Sequence, residues 1–104
     1  MSIVATTPAP PYYAVIFSSI RTAGDNGYAD AAKHMLTLAA QQPGFLGFET
    51  ARQEIGISVS YWASLDAIKT WKEHATHRQT QKHAKDWYSC FRVRVCCVEK
   101  EYGF

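Results

Sequence analysis

The stretch SYWASLDAIKTWKEHATH, from Ser60 to His77, decides the fold because it changes from a strand pattern to a helix pattern within a few residues. Its first residues close an apolar run from Ile57 to Trp62 that is typical of a β-strand. Ser64 is a favourable helix N-cap, and apolar residues then recur every three or four positions. These are Leu65, Ile68, Trp71 and Ala75. No proline follows, so the sequence predicts a helix that runs to about Trp87.

Upstream, the run YYAVIFSSI from Tyr12 to Ile20 is rich in β-branched and aromatic residues and predicts a first strand. It is followed by the turn-forming residues GDNG at 24–27, in which Asp25 or Asn26 could cap a helix. Apolar residues at helical spacing continue from Tyr28 to Ala39, and Pro43 with Gly44 ends the pattern.

Two further strands are predicted at Phe45–Arg52 and Ile57–Trp62, joined by a hairpin turn over residues 53–56 with Gly56 in a special backbone conformation. Residues Cys90–Val98 alternate in polarity and predict a last strand. Its residues Phe91, Val93, Val95 and Cys97 share one face. The order β-α-β-β-α-β predicts an α+β, ferredoxin-like fold, in which two helices cover one face of a four-stranded antiparallel sheet.

At 104 residues the chain is the size of one domain, which we place at residues 12–104 after a proline-containing, extended arm at residues 1–11. A net charge of +2 without clustered Lys and Arg argues against nucleic-acid binding. No apolar run is long enough to span a membrane, and no secretory signal is recognised. The three cysteines, two of them adjacent, suggest no disulfide framework, which favours a cytoplasmic location.

Strand one is apolar on both sides, and in strand two Phe45 is expected to oppose Leu46 and Phe48. Helices on one side of the sheet would leave the other apolar face in water, in an area larger than monomers usually expose. The sequence therefore predicts a homodimer in which two sheets pack together.

The predicted second helix places a set of chemically useful residues on one face, which begins apolar and becomes polar. They are Ala67, Trp71, His74, Arg78 and Gln81. Such a gradient suits the mouth of a ligand pocket. The alternative is that Trp71 is a core residue and that the polar residues mark the exposed end of the helix.

His74 and His77 lie close enough to act on one ligand, and neutral imidazole is a good proton acceptor near pH 7. Both could equally be solvated, and no carboxylate or cysteine stands at the spacing that a metal site needs, so no metal or other cofactor is expected. His34 and His83 have the character of surface residues.

Three arginines occupy predicted strands, where a guanidinium is costly to bury unless it is paired. Arg52, Arg92 and Arg94 are expected either to meet Glu49, Glu99 or Asp66 or to bind an anionic ligand. Cys96 and Cys97 are expected to be buried apolar residues rather than nucleophiles.

Three segments together resemble the antibiotic biosynthesis monooxygenase superfamily of dimeric α/β barrels. They are Ser60–His77, the run PGFLG at residues 43–47 and the pair Trp87-Tyr88, and the resemblance extends from Tyr12 to Tyr102. It implies a pocket between the second helix and the sheet in each subunit. Some members oxygenate aromatic polyketides without metal or cofactor, and others degrade haem.

Trp71 matches the helix tryptophan found in both branches of that superfamily. Ala67 stands where the quinone-forming oxygenases have asparagine, and Gln81 stands where the haem-degrading members have a histidine ligand. The first strand also lacks the asparagine of the haem-degrading members.

The resemblance implies a cofactor-independent monooxygenase for a small aromatic or polycyclic compound, with His74 or His77 as the proton acceptor. The residues expected to contact the aromatic ligand are Tyr13, Phe17, Tyr61, Trp62, Trp71, Arg78 and Gln81. The alternative is a non-catalytic dimer that binds a small molecule or haem. RNA-recognition modules share the order of elements, but their aromatic signature lies on the third strand and not on the second.

Overall fold

The computed structural model describes residues 4–74 and 83–104. Within these ranges the chain forms four strands and three helices, in the order β1, α1, β2, β3, α2, α3, β4. The strands are β1 (Tyr12–Arg21), β2 (Phe45–Arg52), β3 (Gly56–Trp62) and β4 (Tyr88–Val98). The helices are α1 (Tyr28–Ala40), α2 (Leu65–Glu73) and the short α3 (Ala84–Trp87).

The four strands form one antiparallel sheet in the order β2-β3-β1-β4, so β2 and β4 are its edges. This confirms the predicted ferredoxin-like α+β fold. Every predicted strand is present, although β4 begins two residues earlier than expected, at Tyr88.

The core lies between α1, α2 and one face of the sheet, which we call the helix face. Ala39 of α1, Ile68 of α2 and the fully buried Trp62 of β3 form its centre. Tyr13 and Val15 of β1 pack against them, and paired residues on neighbouring strands share a face. We call the opposite side the arm face. It carries Tyr12, Ala14, Glu49 and Tyr61, together with Arg92 and Arg94.

A β-bulge corrects the expected arrangement of β2. Phe45 pairs with Trp62 and Gly47 pairs with Tyr61, so one extra residue lies between these pairs. The bulge reverses the alternation, and Phe48 therefore shares the helix face with Phe45 instead of opposing it. Glycine inside a strand is a common signal for such a bulge.

Gly56 was expected to adopt a special conformation in the hairpin, and this is wrong because it has no positive φ and begins β3. The glycine is needed for space. A Cβ atom at Gly56 would meet the guanidinium of Arg52, which crosses directly over it. That guanidinium donates hydrogen bonds to the carbonyl and the hydroxyl of Ser19.

The helix starts follow the predicted capping chemistry. The carboxylate of Asp25 accepts hydrogen bonds from the backbone N–H groups of Gly27 and Ala29, at 3.0 and 3.1 Å, where α1 begins. The Ser64 hydroxyl accepts one from the N–H of Ala67 at 3.0 Å and so caps α2.

The expected length of the second helix is wrong. α2 ends at Glu73, and His74 has a ψ of 135°, which is an extended conformation that a helix cannot contain. The separate helix α3 precedes β4. Leu65 was expected in the buried stripe of α2, but its side chain is exposed.

The N-terminal arm lies on the arm face. Ala5 sits above Gly47, where an added Cβ would approach the Ala5 Cβ to 2.8 Å. The N–H of Ala5 donates to Glu49 at 2.9 Å, and the Thr7 hydroxyl donates to Glu101 at 3.3 Å. No helix in the described ranges is both long and apolar enough to cross a membrane.

Candidate functional site

A row of aromatic rings crosses the helix face from β2 to the end of α2. The ring of Phe45 meets Trp62 edge-on, with centroids 5.4 Å apart. Trp62 stacks on Trp71 at 6.2 Å with an angle of 24°, and the His74 ring follows at 5.8 Å. Trp62 is the buried back of this row, whereas Trp71 and His74 are partly exposed at its end. Trp71 therefore contacts the core and also borders the surface.

Beside this row, the helix face is open over β1 and β4. Val95 pairs with Val15 and Val93 pairs with Phe17. Phe91 stacks on Phe17 at 5.5 Å with an angle of 24°. Because α1 and α2 cover β2 and β3, about half of the Phe91, Val93 and Val95 side chains is exposed. We call Val15, Phe17, Phe91, Val93 and Val95 the apolar floor.

At the far end of the floor, Phe17 meets Tyr88 edge-on at 5.2 Å, and Tyr88 meets Tyr28 at 5.6 Å. Burial, followed by a hydrogen bond with Tyr28, raises the pKa of the Tyr88 hydroxyl above its usual value. Tyr88 therefore stays protonated at neutral pH. It provides a neutral polar group at this end of the floor.

His74 is the polar residue at the end of the aromatic row. Its Nδ1 atom is buried and, within the described part of the chain, has no hydrogen-bond partner. A buried polar atom without a partner costs about 1–3 kcal/mol, so such atoms are uncommon and often belong to functional sites. A ligand that donates a hydrogen bond to Nδ1 would remove this cost.

The structure brings five of the predicted site residues to one face, namely Tyr13, Phe17, Trp62, Trp71 and His74. It does not bring Tyr61 to them. Tyr61 lies on the arm face, where its hydroxyl donates to Glu49 at 2.6 Å and its ring meets Tyr12 edge-on. Its partial burial, followed by the hydrogen bond to Glu49, raises its pKa. Adjacent strand residues point to opposite faces, so Tyr61 and Trp62 cannot line one pocket.

His77, Arg78 and Gln81, also predicted for this site, lie outside the described residues, as does Ala75. The polar helix face on which these residues were expected to follow Trp71 does not extend that far as one helix, because α2 ends at Glu73. Ala67 packs against the core cluster beside Trp71.

The floor residues on β4 were not predicted as ligand contacts. The sequence did place Phe91, Val93 and Val95 on one face of the strand. What it could not show is that the two longer helices lie over β2 and β3 and leave this edge uncovered. The alternation of β4 therefore indicated that these three residues share a face. It could not indicate that the face is exposed, because that depends on where the helices lie.

The expected ion pairs of the strand arginines are not found among the described residues, whereas the alternative of an anionic ligand stays a prediction, and the expected burial of Cys96 and Cys97 is wrong. Arg52 binds the uncharged groups of Ser19, and the only ion pair found in residues 4–74 and 83–104 joins His83 and Asp86. Cys96 and Cys97 are exposed rather than buried, as is Cys90, and all three are free. No group of three metal-binding side chains occurs among the described residues.

Two open hollows are found elsewhere on the surface. One of about 330 Å³ lies between the turn at Pro43 and Gly44 and the first turn of α2. The other, of about 310 Å³, lies on the arm face along β4 and is lined by Ile20, Ile55, Cys90, Arg92 and Arg94 among others. Neither contains Trp71 or His74.

The fold and this arrangement agree with a family comparison. Residues 11–83 match the sequence model of the antibiotic biosynthesis monooxygenase family. The match covers most of the chain, and the chain therefore belongs to this family.

Individual relatives extend the comparison. The chain is 46% identical over 107 residues to the uncharacterized protein YqjZ of Bacillus subtilis, covering 100% of this chain and 94% of YqjZ. Its fold is similar to that of SnoaB, a cofactor-independent oxygenase from Streptomyces nogalater, with a TM-score of 0.70, 9% identity and coverage of 90% and 97% of the two chains. A conserved protein from Methanosarcina mazei Go1 is similar with a TM-score of 0.73, 7% identity and coverage of 88% and 94%.

Proposed function

We propose that this protein is a cofactor-independent monooxygenase that oxidises a small aromatic or polycyclic phenol on the helix face. The observation that carries the proposal is the unpartnered Nδ1 of His74, placed at the end of the aromatic row next to Trp71. Membership of the monooxygenase family and the fold shared with SnoaB support the reaction type.

The apolar floor and Trp71 suit an aromatic ring. Flat rings gain from burial against the valine side chains and from stacking on an indole, which contributes about 0.5–1.5 kcal/mol beyond area burial. The ring of Trp71 is fixed from behind by Trp62, which is fully buried. A ligand would therefore stack on a Trp71 ring that is already held in place.

His74 supplies the acid-base chemistry in this proposal. Nδ1 accepts the phenolic proton, and the resulting phenolate is rich enough in electrons to reduce O₂. One oxygen atom bonds to the ring carbon opposite the phenolate oxygen, that carbon loses its hydrogen as a proton, and the second oxygen leaves as water. Phenol and O₂ thus give a quinone and water, and the substrate supplies all four electrons that reduce O₂.

Oxygen uptake tests this role of His74. With 1-naphthol, whose ring carbon opposite the hydroxyl carries the hydrogen that this step removes, wild-type protein is expected to consume O₂ above the uncatalysed background. His74→Ala is expected to lower the rate at least tenfold, because general bases usually contribute 10²–10⁴-fold. The matched control is His34→Ala, on the exposed side of α1, which should leave the rate unchanged.

Two results would contradict the oxygenase proposal. One is an oxygen uptake that does not exceed the background with any quinol or phenol. The other is a full rate in the His74→Ala variant.

The second candidate is a protein that binds a small molecule on the apolar floor and Trp71 without converting it. It is favoured by Ala67, which packs in the core at the position where the quinone-forming oxygenases have asparagine. Haem is one ligand to consider, since His74 offers an imidazole nitrogen beside an apolar surface. Adding haemin and recording the Soret band separates haem from other ligands.

We also propose that the protein is a homodimer joined through the arm face. The large apolar side chain of Ile57 remains exposed there, and a second copy would cover it. The arm already covers the area around Gly47 and Tyr61, so the contact would centre on β1 and the neighbouring part of β3.

Sedimentation velocity measures this association directly. A dimer is expected at micromolar concentration, and Ile57→Glu is expected to shift it towards monomer because it places a charge in the apolar contact. Lys33→Glu on α1, away from the arm face, is the control and should leave the dimer intact. A stable wild-type monomer at that concentration would refute the dimer.

A further inference from the structure

The hollow of about 310 Å³ on the arm face combines two features that a simple apolar contact does not need. It is lined by Ile20 and Ile55, which are about half exposed, and by the guanidinium-bearing residues Arg92 and Arg94. It lies along β4, the edge strand, and on the opposite side of the sheet from His74 and Trp71. Apart from Phe91, it shares no lining residue with the aromatic row or the apolar floor.

Arg92 and Arg94 stand two residues apart on one face of β4, so their Cα atoms are about 6–7 Å apart. Their backbones pair with β1, but neither guanidinium has a hydrogen bond or an ion pair to any described residue. Across the ladder they face Ser18 and Ile16, which carry no charge. Two like charges thus lie side by side without compensation from these neighbours.

The other two arginines of the described strands lie near the same end of the sheet but on its helix face. Arg52 donates to the carbonyl and hydroxyl of Ser19, which pairs with Phe91. Arg21 donates to the backbone carbonyls of Trp87, Gly24 and Asp25 and stacks on Tyr28. All four arginines of the described chain lie at this end, and none is paired with a carboxylate.

The carboxylates of the arm face are already engaged elsewhere. Both oxygens of Glu49 accept hydrogen bonds, from Tyr61 and from Ala5. Glu101 accepts from Tyr12 and Thr7 at the other end of β4. Glu54, in the turn beside Ile55, makes no ion pair with Arg92 or Arg94. No described carboxylate therefore forms an ion pair with these arginines.

We propose that this hollow binds an oxyanion that is attached to an apolar group. Arg92 and Arg94 bind the anion, and Ile20 and Ile55 contact the apolar group. Guanidinium groups bind phosphate and carboxylate oxygens in a planar, bidentate manner, and Ser18 adds a hydroxyl beside them. Because the hollow follows the edge strand, it would border a dimer contact centred on β1 and β3.

Isothermal titration calorimetry with phenyl phosphate tests the site in the full-length protein. We expect one binding event per chain, weakened at least threefold when salt rises from 50 to 200 mM. Inorganic phosphate and benzoate, titrated separately, show whether phosphate or carboxylate oxygens are preferred. Phenol, which lacks the anion, should bind at least tenfold more weakly at this site.

The decisive variant is Arg92→Gln combined with Arg94→Gln, for which we expect at least a tenfold loss of affinity for phenyl phosphate. Lys33→Gln combined with Lys100→Gln removes the same charge from exposed positions away from the hollow and should change the affinity less than twofold. Trp71→Ala, on the other face, should also leave it unchanged. This control separates the hollow from the proposed aromatic site.

The inference is overturned if phenyl phosphate does not bind, or if the arginine and lysine double variants lose affinity equally. It is also overturned if Trp71→Ala abolishes the binding. If wild type binds no probe and the arginine variant becomes monomeric in sedimentation, the arginines serve the carboxylates of a second copy instead.

Discussion

Trp62→Ala is expected to lower the free energy of unfolding by about 3–5 kcal/mol, the range measured for large-to-small changes of buried aromatic residues. Trp62 is fully buried and touches the rings of Phe45 and Trp71, so its removal would leave a cavity at the centre of the core. Its indole N–H also donates to the Ser60 hydroxyl at 2.9 Å. Urea unfolding at one fixed protein concentration measures the loss, since any association adds to the apparent stability.

Leu65→Ala is the control for this change, because Leu65 lies on α2, away from the arm face, with its side chain about half exposed. A cost below about 1.5 kcal/mol is expected there, since less apolar area is lost. If Trp62→Ala cost no more than Leu65→Ala, the proposed position of the core would be wrong.

Gly44→Ala is expected to cost about 2–4 kcal/mol, from two causes that act together. Gly44 has a φ of 85°, a conformation that side chains disfavour. An added Cβ would lie 2.7 Å from the Cβ of Ala67, so α2 would have to move away from the turn. The Gly44 carbonyl also accepts a hydrogen bond from Ala63 at 2.7 Å, which such a movement would strain. Thermal unfolding should show a midpoint lower by about 10 °C or more.

Gly27→Ala separates the two causes. Gly27 has a φ of 81°, but an added Cβ would meet no atom within 4 Å. Its cost should be that of the backbone alone, about 1–2 kcal/mol. Equal losses for the two variants would mean that the contact between Gly44 and α2 contributes nothing.

The strands and the start of each longer helix were predictable because local chemistry determines them. A run of β-branched and aromatic residues specifies β1, alternating polarity specifies β4, and the capping residues Asp25 and Ser64 specify where α1 and α2 begin. The end of α2 was not predictable in this way. Glu73 and His74 are followed by neither proline nor glycine, and the extended backbone at His74 accompanies the packing of its ring beside Trp71.

The candidate site was only partly predictable for a related reason. Helical spacing alone placed Trp71 and His74 together, and the structure keeps them in contact at the end of α2. Tyr61 was grouped with Trp62 because both are aromatic, although the two-residue period of a strand separates them. Which strands the helices cover depends on packing between distant segments, and a single sequence does not reveal it.

The two adjacent thiols of β4 allow the two faces of the sheet to be labelled separately. Cys97 pairs with Tyr13 on the helix face, while Cys96 pairs with Ala14 on the arm face, and both are exposed. A fluorophore attached to Cys97 would therefore report on ligands near Trp71, and one attached to Cys96 would report on the opposite surface. One variant without Cys90 and Cys96 and another without Cys90 and Cys97 would each carry a single label. The two labels would report on opposite faces of the sheet from positions only one residue apart.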